Sequence, residues 1–119
     1  MAKNIKDNAI VLYKPDWHVG IVGIVASKIV EKYHKPTFLM MYSKEKNEIR
    51  CSARGVEGVS RINLYDVISN ISDKLSKFGG HALAAGLSFL ESETTFEEVK
   101  KGLIDSVDEV LAGEKFIPV

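Results

Sequence analysis

The stretch Phe78 to Leu90, FGGHALAAGLSFL, joins two adjacent glycines, one histidine and a run of small residues to a short apolar segment of strand-like composition. Gly79 and Gly80 can take positive φ without steric cost and leave their N–H groups uncovered, so a loop built on them can wrap an anion. His81 then stands where a helix can begin, with Ala82 to Ala85 as one short turn ended by Gly86 and a strand over Leu87 to Leu90 after it. A helix start gathers unpaired N–H groups and partial positive charge, so glycine loop, helix start and imidazole would converge on a phosphate or carboxylate. A plainer alternative is open from the same residues: a tight glycine turn, a satisfied buried histidine, and alanines packed closely against a sheet.

Upstream, Asn8 to Tyr13 is a near-continuous apolar run, expected as a strand covered on both faces. Pro15 and Asp16 turn the chain, and a helix follows from Asp16 or Trp17-His18 to about His34. It carries Ile21, Ile24, Val25, Ile29 and Val30 with little polar relief, which predicts burial on most sides. Gly20, Gly23 and Ser27 fall on one face of it. Glycine inside a helix costs about 1 kcal/mol relative to alanine, so this stripe predicts close approach to a sheet, or a ligand near the helix start. Thr37 to Tyr42 is expected as a buried strand, and SKEKNE as a solvated hairpin turn. Glu48 to Arg54 is the returning strand, with Ile49, Cys51 and Ala53 on one face and Arg50, Ser52 and Arg54 on the other. Asn63 can cap a helix from Leu64 to about Leu75. Thr95-Phe96-Glu97-Glu98 is a capping box that opens a last helix, apolar at Phe96, Val99, Leu103, Val107, Val110 and Leu111 and ended by Gly113.

The alternation of these elements predicts a single α/β domain with a mixed sheet flanked by helices, and 119 residues suffice for one core but not for two ordinary domains. Sixteen basic residues balance sixteen acidic ones, so no global field draws in nucleic acid and any such contact must be local. The single Cys51 cannot form an internal disulfide, which suits a reducing, cytoplasmic setting. No run approaches the roughly 18 apolar residues of a membrane span, so no membrane partner is expected.

The block GGHALAAG resembles the GGHxxAAG signature of the DHH-associated domain, first subfamily, the C-terminal half of the DHH phosphoesterases. Trp17, His18, Gly20, Gly23, Ile24, Val25, Ala26, Ser27 and Lys28, with Pro36 after the helix, are similar to the Trp-His-x-Gly-x-x-Gly-Ile-Val-Ala-Ser-[Lys/Arg] segment of RecJ-like proteins, single-strand-specific 5′ to 3′ DNA exonucleases. Ser52-Ala53-Arg54 resembles their Gly-Ser-x-Arg-Ser strand end, which helps hold substrate phosphate; Cys51 departs from its glycine and Gly55 from its small hydroxyl residue. Ile62-Asn63-Leu64 resembles a segment that follows a shorter connection in the family, so the residues around Ser60 and Arg61 are expected as an insertion. The resemblance covers residues 8–113, leaving 1–7 as a leader or tail and 114–119 as a link to a following, OB-like domain.

What the resemblance implies is a division of labour. The two-metal site of this superfamily, with Mn or Mg, lies in an N-terminal DHH domain built on Asp and His clusters, and such clusters are missing from this sequence. No catalytic residue, metal or cofactor is therefore expected here. Gly79, Gly80, His81, Arg54 and Ser52 are expected to bind substrate phosphate, with His18, Gly20 and Arg50 in the cleft. The expected partners are single-stranded DNA and the DHH domain of the same parent chain, and the fragment alone is expected to be inactive. Two alternatives stand beside this. One is a DHH phosphodiesterase of short oligonucleotides or cyclic dinucleotides. The other is a KH-like RNA-binding module whose GxxG loop is Gly20 to Gly23.

Overall fold

The structure is a computed structural model that describes residues 8–57 and 62–113. Expectations for residues 1–7, for the segment around Ser60 and Arg61, for the Leu111 side chain and for residues 114–119 lie outside the described residues. Five strands form one mixed sheet in the order β1-β2-β3-β5-β4. β1 (Ile10–Tyr13) lies parallel to β2 (Thr37–Ser43) and is joined to it through helix α1 (Val19–Tyr33). β3 (Glu48–Arg54), β5 (Ala84–Phe89) and β4 (Lys77–Gly80) continue the sheet antiparallel. Helix α2 (Leu64–Ser69) precedes β4, and α3 (Phe96–Gly113) is the last described element.

The period-2 pattern of β3 decides the layering. Ile49, Cys51 and Ala53 are buried on one face, where they join Phe38, Met40, Leu87 and Phe89 beneath Leu64, Val67 and Ile68 of α2 and Val99, Leu103 and Val107 of α3. The other face meets α1 through a smaller cluster of Val22, Ala26, Leu39 and Met41. β1 is thus covered on both sides, as its unbroken apolar run requires.

α1 does not meet the expectation of burial on most sides. Among the described residues the sheet is its main neighbour, so Val22 and Ala26 are buried while Ile21 and Ile24 are 47% and 60% exposed. The helix ends where His34 takes φ 57° and returns its N–H to the Val30 carbonyl at 2.7 Å. α2 is also shorter than expected. Asn63 caps it, its Oδ1 accepting from the Asp66 amide at 3.3 Å. At Ile71 the backbone leaves the helical region (φ −117°, ψ 23°), and Ser72–Lys74 form a single 3-10 turn. Asn70 instead donates its side-chain amide to Ser106 of α3 at 3.0 Å, and Ser106 donates to the Val67 carbonyl at 2.9 Å.

The largest departure is at Gly79 to Ala85, where no helical turn forms. Gly79 and Gly80 end β4, the chain reverses over His81 to Leu83, and β5 begins at Ala84. Alanine propensity loses because neighbouring elements take the turn's backbone groups. The His81 amide donates to the Ala84 carbonyl at 2.9 Å, the Leu64 amide to Ala82 O at 3.0 Å and the Gly55 amide to Leu83 O at 2.9 Å. Ala84 then pairs with β3, and Ala85 is held on both sides, by β3 and β4.

The capping box at the start of α3 forms as its sequence requires. Thr95 Oγ1 accepts from the Glu98 amide at 3.1 Å, and Glu98 Oε1 accepts from the Thr95 amide at 3.2 Å. Thr95→Ala removes one half of this exchange on an exposed surface, so a loss of about 1 kcal/mol in unfolding free energy is expected, measured by urea denaturation.

Candidate functional site

Antiparallel pairing sets the residues of the α1-side face into rows across the sheet. Ser52 of β3 stands opposite Gly86 of β5, and Gly86 opposite Gly79 of β4. The next row is Arg50, Ser88 and Lys77. In the opposite direction Arg54 pairs with Ala84, at the start of the 81–83 turn. α1 packs over β2 and β3, so the β5–β4 half of this face lies open as a pocket of about 320 Å³ that includes Arg50, Ser52, Lys77, Gly79 and Gly86. The Ser52–Gly86–Gly79 row gives it a floor of small residues, Val22 and Met41 line it too, and Arg50 and Lys77, both exposed, stand in the adjacent row on either flank of Ser88. Two donors of full positive charge beside a floor of small residues suit an anionic backbone better than an apolar ligand.

The twin glycines differ in what requires them. Gly80 has φ +135°, and a Cβ there would lie 2.4 Å from Ala85 Cα and 2.6 Å from Ala84 O, so the hairpin itself demands glycine. At Gly79 a Cβ would meet nothing within 4 Å. The space above it is open.

Arg54 points elsewhere. A Cβ at Gly23 would lie 2.5 Å from its Nη2, so the guanidinium rests in the gap that Gly23 leaves in α1. Its Nη1 donates to the Ala53 carbonyl at 2.8 Å. The small stripe of α1 thus admits a strand side chain at Gly23, whereas Gly20 faces open space. Arg54, Ser27, His34 and Leu83 share a second hollow of about 370 Å³. His81 is exposed at the hairpin turn, not sealed in the core, and its Nδ1 accepts from the Leu83 amide at 3.4 Å. His18 caps α1 through its backbone, without a side-chain cap bond, and shares with Trp17, Met41 and Arg50 a third hollow of about 600 Å³.

The structure therefore brings Ser52, Arg50 and Gly79 into one pocket and His18 and Arg50 into another. It sets Arg54 in a third, and Gly80 and His81 outside these three. The helix start expected to gather N–H groups on an anion at His81 is absent, since that segment is a hairpin. Lys77, Gly86 and Ser88 escape a reading of the sequence because only the strand register puts them beside Ser52. Lys77 lies two residues before Gly79, which would have placed it on the same face had β4 been read as a strand.

Cys51 offers no nucleophile. It is buried, and burial pushes its thiol well above the ordinary range, with the Arg54 charge opposing the shift only in part. Among the described residues no three His, Cys, Asp or Glu side chains group as a metal site. No helix among the described residues is long and apolar enough to cross a membrane.

Residues 6–113 match the DHHA1 domain family. The chain belongs to that family. It is 35% identical over 117 residues to the single-stranded-DNA-specific exonuclease RecJ of Bacillus subtilis, covering 98% of this chain and 14% of that protein. To the RecJ of Haemophilus influenzae it is 43% identical over 86 residues, covering 69% of this chain and 14% of the relative. The crystal structure of RecJ in complex with Mn2+ from Thermus thermophilus superposes with a TM-score of 0.74 at 28% identity, over 89% of this chain and 15% of that one. The chain thus spans about one seventh of the length of these relatives.

Proposed function

We propose that this DHHA1 domain holds the sugar–phosphate backbone of single-stranded DNA for a RecJ-like exonuclease, and that hydrolysis takes place at metal ions bound by another domain of a longer chain. The observation that carries this is the open half of the α1-side face, where the Ser52–Gly86–Gly79 row lies next to the row that carries Arg50 and Lys77. A phosphate seated over Gly79 comes within reach of both cations, with the Ser52 hydroxyl as a further donor. Arg54 and His81, at the other end of the same face, would receive a neighbouring phosphate. Mg2+ or Mn2+, named with the RecJ structures, would supply the activated water and clamp the leaving oxygen when bound in that other domain. The residues of this chain bind and orient.

The RNA-clamp alternative loses its structural basis, because Gly20 to Gly23 lies inside α1 and not in a loop.

Titration of the 15N-labelled chain with a single-stranded thymidine octamer tests the proposal. Amide shifts are expected at Ser52, Gly79 and Gly86. Two or three phosphate contacts should give a log–log salt slope of roughly −2. Shifts clustered at Gly20 and Gly23, or rapid cleavage of the octamer by the chain with manganese alone, would overturn the division of labour.

A further inference from the structure

The 600 Å³ hollow beside the open face takes no part in the phosphate binding proposed above. It lies between the β1–α1 loop, residues Pro15 to His18, and the end of the β2–β3 hairpin, at the carboxyl ends of the two parallel strands. In mixed α/β sheets that is where ligands tend to sit. Its wall includes Trp17 and Met41, and its rim carries Asp16 and His18, both exposed. Trp17 is half-buried, one part packed against the cluster of Leu39 and Met41 and the rest open to the hollow. Met41 and Arg50 belong to this hollow and also to the pocket that holds the Ser52–Gly79 row, so the two cavities adjoin through the Arg50 side chain.

We infer that this hollow is a nucleobase pocket: it receives the base of a nucleotide whose phosphate lies on the Ser52–Gly79 row, with Arg50 between the two. The inference rests on the phosphate-binding role proposed above. A flat indole offers a stacking face that every base can use, a polarizable thioether lines the space beside it, and Asp16 and His18 offer hydrogen-bonding groups at the base edge. Proteins that hold single strands combine a cationic track with such platforms, and here the two lie in adjoining hollows that share Met41 and Arg50. The indole contact makes no use of net charge, which agrees with a chain whose formal charge is zero.

Trp17 is the only tryptophan of the chain, so its fluorescence reports on the hollow without a label. The chain is titrated with a thymidine octamer and with an octamer of abasic residues, which keeps the phosphates and lacks the bases. Both should move the Ser52 and Gly79 amides. Only the thymidine octamer should quench Trp17, and it should bind at least about fivefold more tightly. Equal quenching by both, or no quenching by thymidine while the amides move, overturns the nucleobase pocket and leaves the phosphate face standing. If neither octamer moves the amides, the phosphate reading fails first and takes this inference with it. Thymidine 5′-monophosphate distinguishes the source of the base. Quenching by the monophosphate at the same concentration as the octamer assigns the hollow to free nucleotides and overturns its place on a strand.

Discussion

Gly80→Ala lowers the melting temperature of this domain by about 12 °C or more. The substituted residue would have to hold φ +135°, where an L side chain is strained, and its Cβ would lie 2.4 Å from Ala85 Cα, 2.6 Å from Ala84 O and 2.6 Å from Ala85 Cβ. Two of those three atoms are backbone of the adjoining strand, fixed by pairing to β3, so no rotamer change relieves the contact. Strain and overpacking together cost about 3 kcal/mol, and a domain of this size loses roughly 4 °C per kcal/mol. The damage would extend past the turn, because Ala82 O and Leu83 O receive amides of α2 and of the loop after β3. A calorimetric melt measures it. A variant that melts within 2–3 °C of the parent, a margin of about 0.5 kcal/mol, would show that the hairpin can open at Gly80 without loss.

The same residues explain how far the sequence alone leads. β3 is legible residue by residue, since strict alternation of Ile49, Cys51 and Ala53 with Arg50, Ser52 and Arg54 has one structural solution, and its bounds come out as Glu48–Arg54. The helix caps are legible for a similar reason: the chemistry is local, as at Thr95 and Asn63. The Gly79–Ala85 hairpin is not, because alanines favour a helix until Leu64 of α2 and Gly55 in the loop after β3 take the Ala82 and Leu83 carbonyls, and those partners lie 18 and 28 residues away in sequence (82 − 64 and 83 − 55). Nor is the seat of Arg54. Its nest in α1 exists only once β3 has been laid under the helix at Gly23. α1 shows the converse error: apolar composition predicts burial, but a helix against one sheet has one covered face, and Ile21 and Ile24 stand on the other.

Gly79→Val separates the two glycines functionally. No Cβ contact lies within 4 Å of this position and its backbone is ordinary strand, so a β-branched residue there should leave the fold as stable as before or raise stability by about 0.5–1 kcal/mol. Its isopropyl group, however, would project into the pocket between Ser52 and Lys77, where the proposed phosphate lies. Affinity for the thymidine octamer is expected to fall tenfold or more, a loss of about 1.4 kcal/mol, as the backbone can no longer approach both cations. In a RecJ-like exonuclease that carries this domain, kcat/KM on single-stranded DNA should fall by at least the same factor with metal content unchanged. Stability and binding then move in opposite directions, which a purely structural glycine cannot produce. Unchanged binding by the folded variant would place the phosphate elsewhere on the sheet and leave Gly79 with no reason for being glycine.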